Sequence, residues 1–379
     1  MFPKKVFILK KYKLNYILKK INNLNKILVN SGVLLTDKII SALYIFILMI
    51  LMTSNYTQFD YGAYQYAFTL GIIVGILLQF SDEKVVKHFF HIEGPSSVIF
   101  SVIILKFGLS LVVMMTYFFL QIFGVIDNTI ASYLLYFLLA SILVNLLYSM
   151  MIYFDYRLNS KDRVKAMIAG NTITFILQLY FVLNNYNIEY VATSVLCGAF
   201  VSSTMILTAF IKLKLNIHIA VNTSQISNIF FRSIPFTLAG AAHMVYMRVD
   251  ILMIEHFMEY SSVAVYSVAT QLMSLVLILI YPIQVTIFPH LLRIKDKDKN
   301  TYIKKYKNLT TILTWVGIIM ASLAVLLINP FMAYFFEDGY NSILNFFYIN
   351  MMTVIIYYNA ILRSSHITLI KKGYIIFYS

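Results

Sequence analysis

The chain has 379 residues, of which 60% are hydrophobic and 12% charged, and its mean hydropathy is +0.79. Soluble domains carry about 25% charged residues, so this composition excludes an ordinary soluble domain and indicates a polytopic membrane protein. The net charge is +14, but the basic residues lie between apolar runs, where they set topology, so no nucleic-acid partner is expected. The one cysteine, Cys197, excludes an intrachain disulfide, and its small apolar neighbours predict a buried, inert thiol.

Residues 1–30 are predicted to form a basic amphipathic segment on the cytoplasmic side of the membrane. Lysines alternate there with apolar residues such as Phe7, Ile17 and Leu24. No apolar core ends in a small-x-small cleavage site, so we expect no cleavable signal peptide. The segment is expected to lie at the interface, held by anionic lipid.

Ten apolar runs are each long enough to cross the hydrocarbon core of a bilayer as a helix. They fall at about 32–53, 63–81, 97–121, 129–153, 165–183, 188–211, 233–254, 262–288, 309–333 and 342–362. The fold class predicted from them is an all-α polytopic membrane protein. A final apolar stretch, Tyr374–Tyr378, is too short to cross.

Every second loop is basic. Lysine or arginine follows each even-numbered run, as in Lys84, Arg157, Lys212, Arg293 and Lys371, whereas the intervening loops contain neither. Those loops lie near 54–62, 122–128, 184–187, 255–261 and 334–341. Because basic residues are retained in the cytoplasm, the pattern predicts that both termini are cytoplasmic.

Three short motifs occur in a recognisable order. Asp60-Tyr-Gly-Ala-Tyr64, with Ala67, opens the second run; Arg248-Val-Asp250 lies in the seventh and is followed by Val265-Tyr-x-x-Ala269; Ile287-Phe-Pro289, with Arg293, closes the eighth. Over about residues 30–365 this order resembles polysaccharide exporters. These are the O-antigen (Wzx-type) flippases of the multidrug/oligosaccharidyl-lipid/polysaccharide superfamily.

The resemblance implies two helical bundles around a central cavity. A shift of 202 residues places Gly62-Ala-Tyr64 on Ala264-Val-Tyr266, which is consistent with parallel halves related by an axis along the membrane normal. The first bundle is expected at 31–214 (runs one to six) and a shortened second bundle at 215–379. The family's second bundle has six helices, whereas this chain stops where an eleventh would begin, which leaves a truncated product or a shortened relative.

Six charged residues lie in or beside the apolar runs and are the candidate translocation residues: Asp37, Lys38, Lys106, Arg232, Arg248 and Asp250. Charges within a membrane span are costly, so each needs a partner, a wet cavity or a charged cargo. On a helix, Arg248 points nearly opposite Asp250, and Lys38 lies 100° from Asp37.

Two interpretations of these charges stay open. In the functional one, Lys38, Lys106 and Arg248 attract an anionic head group, while Asp37 and Asp250 couple transport to protons or cations. In the structural one, Asp37 pairs with a lysine and Asp250 with Arg248, Lys106 reaches the interface along its own stem, and Arg232 only marks the cytoplasmic boundary.

The resemblance implies a function. The family's cargo is an undecaprenyl-pyrophosphate-linked oligosaccharide such as an O-antigen unit for lipopolysaccharide, moved across the bacterial inner membrane by alternating access, and we expect ion coupling in this chain. Partners would be that lipid, membrane lipid and other polysaccharide-assembly proteins. Alternatives are a multidrug or other lipid exporter of the superfamily, or a membrane polymerase or glycosyltransferase. No phosphate-binding loop is present, the short outer loops do not suit an enzyme, and no cofactor or metal is expected.

Overall fold

The structure is a computed structural model that describes residues 36, 38–157, 160–214, 222–278, 280, 298–336 and 342–370, with the backbone alone at 299 and 361–370. Within those residues, ten helical segments are long and apolar enough to span a membrane. The predicted all-α fold of ten transmembrane helices is therefore confirmed.

The first half contains eight α-helices and one 3₁₀ turn, Ile76–Gln79, among the described residues. The helices are α1 (Lys38–Asn55), α2 (Gln58–Gly75), α3 (Glu83–Ile92), α4 (Pro95–Ile122), α5 (Asn128–Leu146), α6 (Tyr148–Tyr156), α7 (Lys161–Leu183) and α8 (Ile188–Ile211). Described helices of the second half are α9 (Thr223–Phe257), α10 (Tyr260–Ile278), α11 (Lys299–Phe335) and α12 (Ile343–Ile370).

Three elements differ from the predicted runs. The fourth run is broken at Leu147 into α5 and α6, and the second run ends in the 3₁₀ turn. The helix α9 starts at Thr223 rather than near 233, because the Asn222 side chain caps it by accepting a hydrogen bond from the Gln225 amide at 3.0 Å. Hydropathy alone cannot place such an end, since the first turns of α9 are polar.

The first bundle is held by close helix packing. Where α7 crosses α8, a Cβ at Gly170 would lie 2.6 Å from the Gly198 carbonyl oxygen, so both positions require glycine. The helix α1 joins through Tyr44, whose hydroxyl is 3.0 Å from the Thr172 hydroxyl. Cys197 is exposed on α8; the prediction of a buried thiol is wrong, because Gly198 occupies the packed face of this helix.

The second bundle packs α10, α11 and α12 together. The Tyr358 side chain is buried and its hydroxyl donates to the Val276 carbonyl at 3.3 Å, which joins α12 to α10. The Asn359 amide donates to the Thr314 hydroxyl at 2.8 Å, which joins α12 to α11. Tyr358 and Asn359 therefore find partners on neighbouring helices, which lowers the cost of placing their polar groups in hydrocarbon surroundings.

The helices have two chemically different ends. Among the described residues, the connections with lysine or arginine, such as Lys84 and Arg157, lie at one end, here called the basic end, and those without them lie at the other, the acidic end. At the acidic end α2 meets α10 so closely that a Cβ on Gly62 would overlap the Tyr260 carbonyl oxygen and lie 3.2 Å from the Ala264 nitrogen. Gly62 and Ala264 are the positions that the 202-residue shift places on each other, and the two helices that carry them are in direct contact.

Candidate translocation site

A cavity of about 360 Å³ lies between α1 and α10, in the seam where the two halves face each other. Its lining is mostly aliphatic, with three polar side chains, Lys38, Gln271 and Ser274. The other lining residues are Ala42, Ile45, Phe46, Met49, Leu275, Leu277 and Ile278. From Lys38 to Met49 the α1 wall rises about 16 Å, enough to follow a lipid chain through half a bilayer.

Lys38 lies at the basic end of this cavity. Its side chain is exposed and makes no hydrogen bond or ion pair with the described residues. An ammonium placed beside an apolar groove is well suited to an anionic head group whose tail occupies the groove. Asp37, the neighbouring candidate, falls outside the described residues.

Asp250 is fixed by the adjacent helix α10. The Tyr266 hydroxyl donates to one carboxylate oxygen, and the Ile251 amide donates to the other at 2.9 Å. The Tyr266 ring packs edge-on against Phe346 with centroids 5.6 Å apart. Asp250 thus joins α9 to α10. Its partner is Tyr266 and not Arg248, the partner that the structural interpretation expected.

Arg248 is half-buried on α9 and has no hydrogen bond or ion pair among the described residues. Asp250 and the Tyr266 hydroxyl lie within electrostatic range of its guanidinium. The expected opposite orientation of Arg248 and Asp250 agrees with the lack of a close ion pair between them. The described residues therefore leave its five N–H donors unused, and such donors suit a planar or phosphate oxyanion.

Lys106 is not at this cavity. It is 1% exposed, inside the first bundle, where its ammonium donates to the Leu78 carbonyl and, at 3.4 Å, to the Asn145 side-chain oxygen. The Tyr148 ring covers the ammonium with 4.6 Å between nitrogen and ring centroid. These contacts account for the lysine without a cargo.

Arg232 is exposed near the basic end of α9, with its guanidinium 5.4 Å from the centre of the Phe89 ring on α3. The helix α3 is amphipathic, and its apolar face, which includes Phe89, is buried. Arg232 therefore contacts the first bundle and is separate from the cavity that Lys38 lines.

The three cations proposed to act together occupy three places. Lys38 is at the basic end of α1, Lys106 is enclosed in the first bundle, and Arg248 lies 25 residues, about 37 Å, beyond the start of α9, towards the acidic end. Sequence reasoning missed Gln271, whose side-chain oxygen accepts from the Tyr61 hydroxyl at 3.4 Å. The internal repeat could have indicated it, because the 202-residue shift aligns Gln271 with Thr69, so the position is polar in both copies.

A second cavity of about 410 Å³ lies inside the first bundle among α2, α5, α7 and α8. Its polar lining is neutral: Gln79, Ser141, Asn145, Asn171, Thr174 and Ser202. Amides and hydroxyls of this kind can hold water. Among the residues that the structure describes, no group of histidine, cysteine or carboxylate side chains is arranged to hold a metal ion.

Residues 60–345 match the family described as polysaccharide biosynthesis protein. An outward-facing multidrug resistance MATE transporter of the MOP superfamily is similar in fold, with a TM-score of 0.64 and 14% identity over 92% of this chain and 82% of the other. An inward-facing MATE structure gives 0.61 and 13% over 88% and 84%. The MATE transporter VcmN of Vibrio cholerae, in its bent form, gives 0.53 and 12% over 91% and 86%.

No curated protein matches the sequence. The family match covers well over half of the chain, and the structural matches extend over both halves of the fold. The chain belongs to the polysaccharide biosynthesis protein family, and its fold is similar to that of MATE transporters.

Proposed function

We propose that this protein is a flippase for undecaprenyl-pyrophosphate-linked oligosaccharide, such as an O-antigen unit for lipopolysaccharide. It moves the lipid from the cytoplasmic to the periplasmic leaflet of a bacterial inner membrane by alternating access. The basic end faces the cytoplasm, as the distribution of lysine and arginine favours. The family match supports a sugar-linked cargo, and the fold similarity supports transport over catalysis.

The observation that carries the proposal is the cavity between α1 and α10. Within the described part of the chain, it joins an aliphatic wall to a single unpaired cation, Lys38, at its basic end. A polyprenyl chain with a pyrophosphate head has the same two parts in the same order. A cationic drug would instead meet an uncompensated positive charge, so the cavity favours an anionic lipid.

Lys38 and Arg248 serve as two successive sites for the head group. Lys38 lies where a lipid would be loaded from the cytoplasmic leaflet, and Arg248 lies nearer the acidic end with its donors unused by the described residues. Arginine can bind phosphate through two parallel hydrogen bonds, whereas lysine acts as a point charge. Transfer from one to the other would carry the pyrophosphate along the membrane normal.

Ion coupling is assigned to the carboxylates Asp250 and Asp37. Asp250 is held by Tyr266 across the α9–α10 contact, so its protonation would change a bond between two helices. An acid that loses its charge no longer attracts the Arg248 guanidinium, so protonation of Asp250 would change the electrostatic field in which that guanidinium binds the cargo. Lys106 and Arg232, which contact the first bundle, contribute to this site only through the fold.

Cells that depend on this protein for surface polysaccharide test the proposal. Lys38→Ala should lower surface polysaccharide while lipid-linked oligosaccharide accumulates in the cytoplasmic leaflet. Lys165→Ala, at an exposed lysine of α7, is the matched control and should have no effect. Normal polysaccharide in Lys38→Ala cells would remove Lys38 from the mechanism. Unchanged polysaccharide with raised drug sensitivity after deletion would favour a multidrug exporter.

A further inference from the structure

The second membrane span is interrupted near its basic end. The helix α2 stops at Gly75, the 3₁₀ turn follows at Ile76–Gln79, and α3 begins after Asp82. An interruption of this kind leaves backbone groups without their helical partners, and in hydrocarbon those groups must be satisfied by other parts of the protein.

Two of these backbone groups bind the other half of the molecule. The Thr237 hydroxyl on α9 donates to the Gln79 carbonyl at 3.0 Å, and the Asp82 amide donates to the Ser233 hydroxyl at 3.1 Å. Thr237 and Ser233 are both buried. The first span of the second half is therefore hydrogen-bonded to the interruption in α2.

The same segment of α9 makes further contacts with the first bundle. Gln225 accepts from Ser101 and donates to Glu93. Three aromatic contacts follow: Phe230 with Phe80, Arg232 with Phe89, and Phe236 with Lys84, at 5.1, 5.4 and 5.3 Å. We call residues 225–237 of α9 with these partners the latch. Leu238, the next residue, is 59% exposed.

Lys106, on α4, also binds the interruption. Its ammonium binds the Leu78 carbonyl, one residue before the Gln79 carbonyl that accepts from Thr237. The two successive carbonyls thus have donors from different bundles. The Tyr148 ring and the Asn145 amide enclose the ammonium, so it is held in position within the first bundle.

We infer that Lys106 is a positioning residue that holds the interruption in α2 in the shape required by the latch. The latch ties the basic end of α9 to the first bundle. By the two-fold relation of the halves, the seam between α2 and α9 corresponds to the seam between α10 and α1. The α2–α9 contact is held together by the latch, whereas the α1–α10 contact contains the cavity. Lys106 therefore helps to keep α2 and α9 together at the basic end. The inference does not depend on the cargo.

The rate of disulfide formation in membranes measures how closely the two sides of the latch approach each other. In a Cys197→Ser background, Asp82→Cys with Ser233→Cys places one thiol on each side of the contact. Adding Lys106→Met removes the donor to Leu78 and should slow disulfide formation at least about fivefold, the factor expected for one lost hydrogen bond. Lys106→Arg, which keeps a charged donor, should restore much of the rate.

Two controls distinguish an effect on the latch from a general loss of helix packing. Lys165→Met should leave the 82/233 rate unchanged. A pair at the acidic end, Phe59→Cys with Tyr260→Cys, whose rings lie 5.2 Å apart, should be trapped equally well with and without Lys106→Met. If Lys106→Met fails to accumulate, Lys106→Gln gives the same comparison. An unchanged 82/233 rate, or equal slowing of both pairs, would overturn the inference.

Discussion

Replacing Gly62 by alanine should push α2 and α10 apart at the acidic end. The new Cβ would overlap the carbonyl oxygen of Tyr260 and lie 3.2 Å from the amide nitrogen of Ala264. Both neighbours are backbone atoms, so neither can turn aside as a side chain would. The helices must therefore separate, or the α2–α10 contact must persist with steric strain.

The size of the effect follows from the contact. Overpacking of a close interface costs about 1–3 kcal/mol, and it is present only when α2 and α10 touch. The intrinsic preference of a helix for alanine over glycine applies equally to both arrangements and cancels. At 1.4 kcal/mol per factor of ten, the equilibrium should shift roughly five- to 150-fold toward separated helices.

Labelling of a buried cysteine measures this shift. Thr69 is 1% exposed and lies two turns from Gly62 on the same face of α2. In a Cys197→Ser, Thr69→Cys background, Gly62→Ala should raise the rate of reaction with a membrane-impermeant maleimide from the acidic side. Gly108→Ala is the matched control, because a Cβ at Gly108 meets nothing within 4 Å.

Two outcomes would contradict a closed contact between α2 and α10. If folded Gly62→Ala protein reacts no faster than its parent, the acidic end is not held closed by this contact. If Gly108→Ala accelerates labelling as much as Gly62→Ala, the effect belongs to any helix glycine. Thermal unfolding in detergent should accompany both measurements, so that loss of fold is recognised.

Three further predictions concern the charged residues and the topology. Arg248→Ala should abolish surface polysaccharide with the protein still in the membrane, and Arg248→Lys should restore it in part, because lysine keeps the charge and loses the planar fork; full activity of Arg248→Ala would contradict this. Tyr266→Phe keeps the ring and removes the donor to Asp250, so the free energy of unfolding should fall by about 1.5–3 kcal/mol and the melting temperature should fall with it. An unchanged melting temperature would contradict a stabilising bond between Tyr266 and Asp250. Reporter fusions should place Asn300 in the cytoplasm and Met258 in the periplasm, and the reverse result would overturn the assigned orientation.

Hydropathy was sufficient to find the ten spans, because a bilayer imposes length and apolarity on each helix separately. Hydropathy was insufficient where contacts between distant helices determine the local structure. The interruption after Gly75 contains no proline, and it is stable because Lys106 and Thr237 satisfy its carbonyls from other helices. Neither partner is adjacent in sequence, so hydropathy predicted an unbroken run.

The sequence accounts for some contacts of the candidate residues and not for others. The helical wheel separated Arg248 from Asp250, in agreement with the structure, but a wheel cannot identify Tyr266 as the partner, since it lies on α10. Lys106 counted as an intramembrane charge like Lys38, although one is enclosed by its own bundle and the other is exposed at the cavity. Burial of this kind depends on packing between helices that are distant in sequence.

Transport in reconstituted liposomes tests the proposed function most directly. Purified protein is inserted into vesicles that contain polyprenyl-pyrophosphate-linked oligosaccharide in both leaflets, and a glycosidase is added outside. Without protein, only sugar in the outer leaflet is cleaved. With the protein, inner-leaflet sugar should also become accessible, and Lys38→Ala should slow this step while Lys165→Ala does not. Inner-leaflet sugar that stays protected in the presence of folded protein, with and without an ion gradient, would contradict the proposed flippase activity.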